Sequence, residues 1–304
     1  MATTATSLTA KRRRTGERVI KGALLACGVV AIAATVGIIL SLAGETISFF
    51  RSVPILKFLT GREWAPTFNP PRFGFVPLLT ATLIVSAIAA VVAFPLGLGT
   101  AIYLSEFASA RVRKIVKPTL EVLAGIPTVV FGYFALLFVT PSLLQHLIPG
   151  VKVFNGLSAG IVVGIMILPL VASISEDAMR AVPMNLREAA FGLGSTKRVV
   201  ARKVVVPAAL SGIGAAFILG LSRAVGETMI VVLAAGSTPN FTLNPVEAIQ
   251  AMTSYIAVTA TGDIPANSIS YKTVFAVGSL LFLMTLVMNV VSIRLVRKYR
   301  EVYE

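Results

Sequence analysis

The chain has 304 residues, 56% of them hydrophobic and only 13% charged, with 24 Gly, 16 Pro and a formal net charge of +14. Soluble domains are about 25% charged, so this composition excludes a disordered chain, a nucleic-acid-binding domain and a small disulfide scaffold, and it points to an integral membrane protein of several helices. The single cysteine, Cys27, and the single histidine, His146, cannot form an intramolecular disulfide or a Cys/His zinc site.

Six apolar stretches are long enough to cross about 30 Å of hydrocarbon: 20–43, 76–104, 119–140, 157–179, 207–235 and 273–294. The first follows Lys11-Arg12-Arg13-Arg14 but lacks a cleavage site, so it reads as a retained helix. The segment after it, 44–75, holds Trp64, whose amphipathic ring suits an interfacial anchor. Prolines at Pro95, Pro127 and Pro169 interrupt the second, third and fourth spans and are expected to kink them. Gly156, Gly160 and Gly164 recur at a spacing of four, a ladder that lets two helices approach closely. His146 reads as a surface residue. Glu176 and Asp177 read as solvated acids at a helix end, and Glu106 and Glu121 as partners for the basic residues of the second loop.

The basic residues orient the spans. The N-terminal tail, the loop after the second span, the loop after the fourth and the C-terminal tail hold six, four, six and four Lys or Arg, against six in all on the other side. Six spans with both termini cytoplasmic satisfy the positive-inside rule. The chain thus divides into a basic tail (1–19), the first helix with its outer segment (20–75), a transmembrane core (76–294) and a C-terminal tail (295–304).

Between the fourth and fifth spans, Pro183 stands where a helix over 184–192 would begin. Gly192 and Gly194 would end it, and Ser195 could cap the next helix. Such an elbow suits docking of a soluble partner. Gly192-Leu-Gly-Ser-Thr-Lys197 is not a phosphate-binding P-loop, because its lysine follows the hydroxyls. In the fifth span, Arg223 and Glu227 are four residues apart, which on a continuous helix places them on one face. A guanidinium at membrane depth costs about 3 kcal/mol on insertion scales. Its functional reading is a fork for an oxyanion on the translocation path, with Glu227 holding it between turnovers. In the outer segment 236–272, Asn244-Pro245-Val246-Glu247 reads as a helix start, with Ile249, Met252 and Ile256 along one face of a short surface helix.

Glu188-Ala189-Ala190, Gly194 and Val206-Pro207 at their spacings resemble the EAA loop of binding-protein-dependent ABC importer permeases, with Val in place of the usual Ile and Leu before the proline. Arg223-Ala-Val-Gly-Glu-Thr-Met229 and Ala124-Gly-Ile-Pro-Thr-Val-Val-Phe-Gly132 resemble the phosphate-importer permeases. Glu63-Trp64-x-Pro66 with Phe73-Gly74-x-x-Pro77 is similar to their PstC-type subunit. The resemblance implies an all-α membrane protein of the type I ABC importer (MetI-like) fold. It also implies the elbow at about 183–207 contacting an ATPase through Glu188, with Gly194 shaping the bend. Expected partners are a PstA-type permease subunit, two PstB-type ATPases, an external PstS-type phosphate-binding protein and membrane lipid, but no nucleic acid. This chain would carry no cofactor, ATP and magnesium being used by the ATPase, and would not be an enzyme. Sulfate and molybdate permeases carry a related Arg-x-x-Gly-Glu. An ion-coupled transporter or an anion channel would leave the elbow without a purpose.

Overall fold

The computed structural model describes residues 15–265 and 268–298. The Lys11–Arg14 run and the last residues of the C-terminal tail lie outside them. In chain order come α1 (Thr15–Phe50), α2 (Ile55–Thr60), the antiparallel ribbon β1 (Trp64–Ala65) and β2 (Arg72–Phe73), α3 (Val76–Phe107) and α4 (Ala110–Ala124). Then follow α5 (Thr128–Leu147), α6 (Gly156–Arg180), α7 (Met184–Gly192), α8 (Lys197–Ala208) and α9 (Leu210–Val225). The chain closes with α10 (Met229–Ala234), α11 (Met252–Thr261) and α12 (Ile269–Lys298). Helices α1, α3, α5, α6 and α12 are long and apolar enough to cross a membrane, and α8 with α9 forms a further apolar segment bent by 70°.

The centre of the bundle is α3 against α6. Ala81, Val85, Ala89 and Ala93 recur every four residues along α3, and they meet Ala159, Val162, Val163, Met166 and Ile167 of α6. The glycine ladder makes this approach possible. A Cβ on Gly160 would stand 2.6 Å from the Ile88 Cβ, and one on Gly164 would stand 2.8 Å from the Val92 Cβ and 2.9 Å from the Ala89 carbonyl. Gly164→Val should therefore cost about 1–3 kcal/mol through overpacking. Gly214→Ala, on an open face, should melt like the wild type. Thermal unfolding in detergent separates the two.

Two spans are not where hydropathy puts them. The third is not 119–140. Residues 110–124 form the separate helix α4, capped by the Ser109 hydroxyl accepting from the Val112 amide at 3.4 Å and carrying Arg111, Arg113, Lys114, Lys117 and Glu121. Apolar residues on one face of α4 raise the average hydropathy, but with its charges α4 is not among the helices long and apolar enough to span. The spanning helix is α5, with Pro127 at its N-cap, so this proline starts a helix rather than kinking one. Pro95 and Pro169 do lie inside α3 and α6. The fifth stretch, 207–235, is broken at Ala209 and again at Gly226–Thr228.

The surface helix expected from Asn244 does not form there. The Asn244 side chain instead accepts the Val246 amide at 3.3 Å in a local turn, and Glu247 accepts from Asn240. Extended residues then carry Ile249 into the central core, and α11 begins at Met252, also fully buried. Trp64 is not an interfacial anchor either. It is buried at 4% exposure, edge-on to Tyr255 at 4.9 Å, in a cluster with Phe58 and Phe49 that roofs this end of the bundle. β1 and β2 close up here because a Cβ on Gly61 would fall 2.5 Å from the Gly74 Cα, so only glycines fit. Helix α1 packs mainly against α12, where Thr46 bonds the Phe275 carbonyl and the Ser279 hydroxyl. Most of its apolar surface is exposed, as for a helix bathed in lipid.

Candidate functional site: an elbow and a broken helix

The elbow forms where the sequence places it. α7 spans Met184–Gly192, and Gly194 follows at φ +80°. The Ser195 amide donates to the Ala190 carbonyl at 3.1 Å and the Gly194 amide to the Phe191 carbonyl at 2.9 Å. This paired closure satisfies carbonyls that the helix end leaves orphaned, and it needs the left-handed glycine. Ser195 thus ends α7 rather than capping α8, whose N-cap is Thr196. Glu188 and Ala189 are exposed, whereas Ala190 packs toward Met179, Val182 and Val205.

Charges beneath the elbow are more ordered than the sequence suggests. Glu176 is not solvated: it is completely buried, with Lys117 Nζ at 2.8 Å and guanidinium nitrogens of Arg113 and Arg180 each at 3.6 Å. Asp177, mostly exposed, accepts from the same Lys117 at 2.6 Å. Burial alone would lower the Lys117 pKa. The hydrogen bonds and charges of Asp177 and Glu176 outweigh it and hold the pKa above the ordinary lysine value of 10.5. A raised folded-state pKa gives stability that is fully present below 10.5 and lost only as pH rises through the higher folded value, so Lys117 stays ionised at neutral pH. Glu106 does not pair with the basic residues of its own loop. It accepts from Arg187 of α7 at 2.8 Å. Neither partnership is visible in sequence, because 59 and 81 residues separate the partners.

The second charged element is the break between α9 and α10. Arg223 and Glu227 do not share a helix face, because α9 ends at Val225 with Gly226 as its C-cap. Among the described residues no ion pair within 4.0 Å joins them. Each is instead matched to its own half-helix. Arg223 lies in the last turn of α9, where the macrodipole favours a cation, and Glu227 precedes α10, where it favours an anion. The Glu227 carboxylate is buried and accepts from the Ile230 amide at 3.4 Å. Its freed backbone carbonyl accepts from the Thr253 hydroxyl at 2.7 Å, so the buried first turn of α11 repairs the break. The Arg223 side chain is exposed, with Nε 3.3 Å from the Met166 sulfur. A guanidinium without a carboxylate keeps its planar fork available to an anion. His146 is exposed, as its position suggests, with Nδ1 3.0 Å from the Pro141 carbonyl oxygen.

The fold and the site define a helical membrane protein with a glycine-ended elbow and an exposed guanidinium at a broken helix. Residues 93–301 match the family model for the binding-protein-dependent transport system inner membrane component. The chain belongs to this family, a multi-pass inner-membrane transport subunit and not an enzyme. It is 35% identical over 90% of its length to a probable ABC transporter permease protein, YqgH, of Bacillus subtilis, covering 87% of that protein. It is 33% identical over 83% of its length to the phosphate transport system permease protein PstC of Mesorhizobium japonicum, covering 84% of it. Its fold is similar to a chain of the MetNI methionine ABC transporter in an inward-facing conformation, with TM-score 0.55 and 20% identity over 75% of this chain and 95% of that one. The all-helical membrane architecture expected from the sequence is therefore present, with a fold like that of the MetNI chain.

Proposed function

We propose that this chain is the PstC-type permease subunit of an ATP-driven phosphate importer and translocates phosphate by alternating access. The observation that carries this reading is Arg223, an exposed guanidinium at the α9–α10 break with no carboxylate partner among the described residues. The relatives named as phosphate permeases support the choice of anion. The bent α8–α9 segment counts as the sixth span, and both termini and the elbow lie in the cytoplasm. Arg223 and Glu227 flank the path: Arg223 contacts the anion, and Glu227 fixes the break that presents it. Glu188, Ala189, Ala190 and Gly194 form the ATPase-coupling elbow. The partners are a PstA-type permease, two PstB-type ATPases that use ATP and magnesium, and a PstS-type binding protein docking on the side of β1 and β2. No cofactor binds this chain.

The test is labelled phosphate uptake at low phosphate in cells lacking this gene, with sulfate uptake measured in parallel. Loss of phosphate uptake alone, restored by the wild-type chain, is the expected result. Loss of sulfate uptake alone would keep the importer assignment and overturn phosphate. Unchanged phosphate uptake, combined with no ATPase copurifying with the chain, would overturn the importer reading.

A further inference from the structure

One side chain of the elbow holds the ends of two spanning helices. Arg187, adjacent to Glu188, donates from one terminal nitrogen to the Glu106 carboxylate on the last turn of α3 at 2.8 Å. It donates from the other to the Met179 carbonyl at the end of α6, also at 2.8 Å. Both charged partners are withdrawn from solvent, with 13% and 6% of their side chains exposed. The receiving turn, Tyr103–Phe107, is widened so that the Ala108 amide reaches back to the Tyr103 carbonyl at 2.8 Å. Such widened turns leave carbonyls for side chains to satisfy. Arg113 of α4 fills that need, bonding the Leu104 carbonyl and, at 3.2 Å, the Ser105 carbonyl. The Ser105 hydroxyl steadies Glu106 at 2.8 Å. The end of α3 is thus gripped from α4 and from α7; Arg113 also stands 3.6 Å from Glu176 of α6, while Arg187 is the side chain of the elbow that hydrogen-bonds the ends of both helices.

We propose that the Arg187 fork is the joint through which displacement of the elbow is passed to α3 and α6. This rests on the coupling role proposed for the elbow and names the residues that carry it inward. Glu188 faces out to the docking surface, whereas Arg187 faces in, so docking and transmission fall on neighbouring residues of one helix. Arginine serves both helices from two separate terminal nitrogens that its planar group holds in a fixed fork. A lysine would have to bring both acceptors to a single nitrogen, as Lys117 does with the adjacent Glu176 and Asp177. The Arg187 Nε is buried and has no partner among the described residues. The joint therefore leaves one donor unsatisfied in this conformation, a donor that an alternative conformation of the elbow could engage.

The complex with its ATPase and binding protein, reconstituted in proteoliposomes, tests this through phosphate transported per ATP hydrolysed. Arg187→Met should retain the ATPase and hydrolyse ATP within about twofold of wild type, while transport per ATP falls at least tenfold. Arg187→Lys should fall between Arg187→Met and wild type. If Arg187→Met fails to assemble, the nearly isosteric Glu106→Gln carries the test, with a severalfold lower ratio expected. An unchanged ratio in the assembled variant overturns the joint, and so does loss of the ATPase from a folded variant, which would make Arg187 a docking residue. A wild-type chain that does not retain the ATPase rejects the elbow reading itself, a distinct result.

Discussion

Arg223→Ala should reduce phosphate uptake about 10- to 100-fold, at unchanged amounts of the chain in the membrane. A hydrogen bond to a charged group contributes about 1.5–3 kcal/mol, and each 1.4 kcal/mol is a factor of ten. Arg223 has no ion pair to lose among the described residues, only a contact with the Met166 sulfur. The fold should therefore tolerate the change, and the loss should fall on the anion. Arg223→Lys keeps the charge without the fork and should restore part of the rate. Glu227→Gln provides the contrast. Its amide oxygen still accepts the Ile230 amide, so uptake should stay within a few-fold of wild type if the carboxylate sets the break rather than neutralising Arg223. Normal uptake by Arg223→Ala, with immunoblots showing equal protein, would remove this residue from the path.

Glu188→Lys should abolish copurification of the ATPase and, with it, uptake. Glu188 is exposed on α7, and its side chain makes no hydrogen bond or ion pair among the described residues. Surface substitutions of that kind change stability by no more than about 0.5 kcal/mol. A large functional loss at such a position therefore reports a missing partner rather than a misfolded elbow. The measurement is pull-down of the ATPase with detergent-solubilised chain, beside a melting curve of the same sample. Retained ATPase with normal transport would overturn Glu188 as a docking residue, and a large drop in melting temperature would show that Glu188 supports the fold instead.

Local chemistry was legible wherever neighbours in sequence decide it. The α7 helix and its glycine end follow from Pro183 and Gly194, whose backbone preferences act within one turn. The glycine ladder of α6 follows from a helical repeat. The charges failed where the partner came from elsewhere. Nothing near Glu176 in sequence announces Lys117, and nothing near Glu106 announces Arg187, so Glu176 reads as a solvated helix-end acid and Glu106 as a partner for the basic residues of its own loop. The Arg223–Glu227 spacing misled for a related reason. The spacing of four pairs two side chains only if the helix continues, and α9 stops between them at Gly226.

By itself the sequence determined the membrane class, because 56% hydrophobic content leaves no other solvent for so many helices. It also determined the elbow and, through its motifs, the family. Tertiary structure decided which apolar stretches continue as helices, which bury a charge and which become inserted loops. The reason is that hydropathy averages over a window and is blind to what the rest of the chain supplies. The first turn of α11 satisfies the Glu227 carbonyl through Thr253, and Lys117 compensates a fully buried Glu176. Only because those groups arrive from distant parts of the chain are a broken helix and a buried carboxylate tolerable in this bundle.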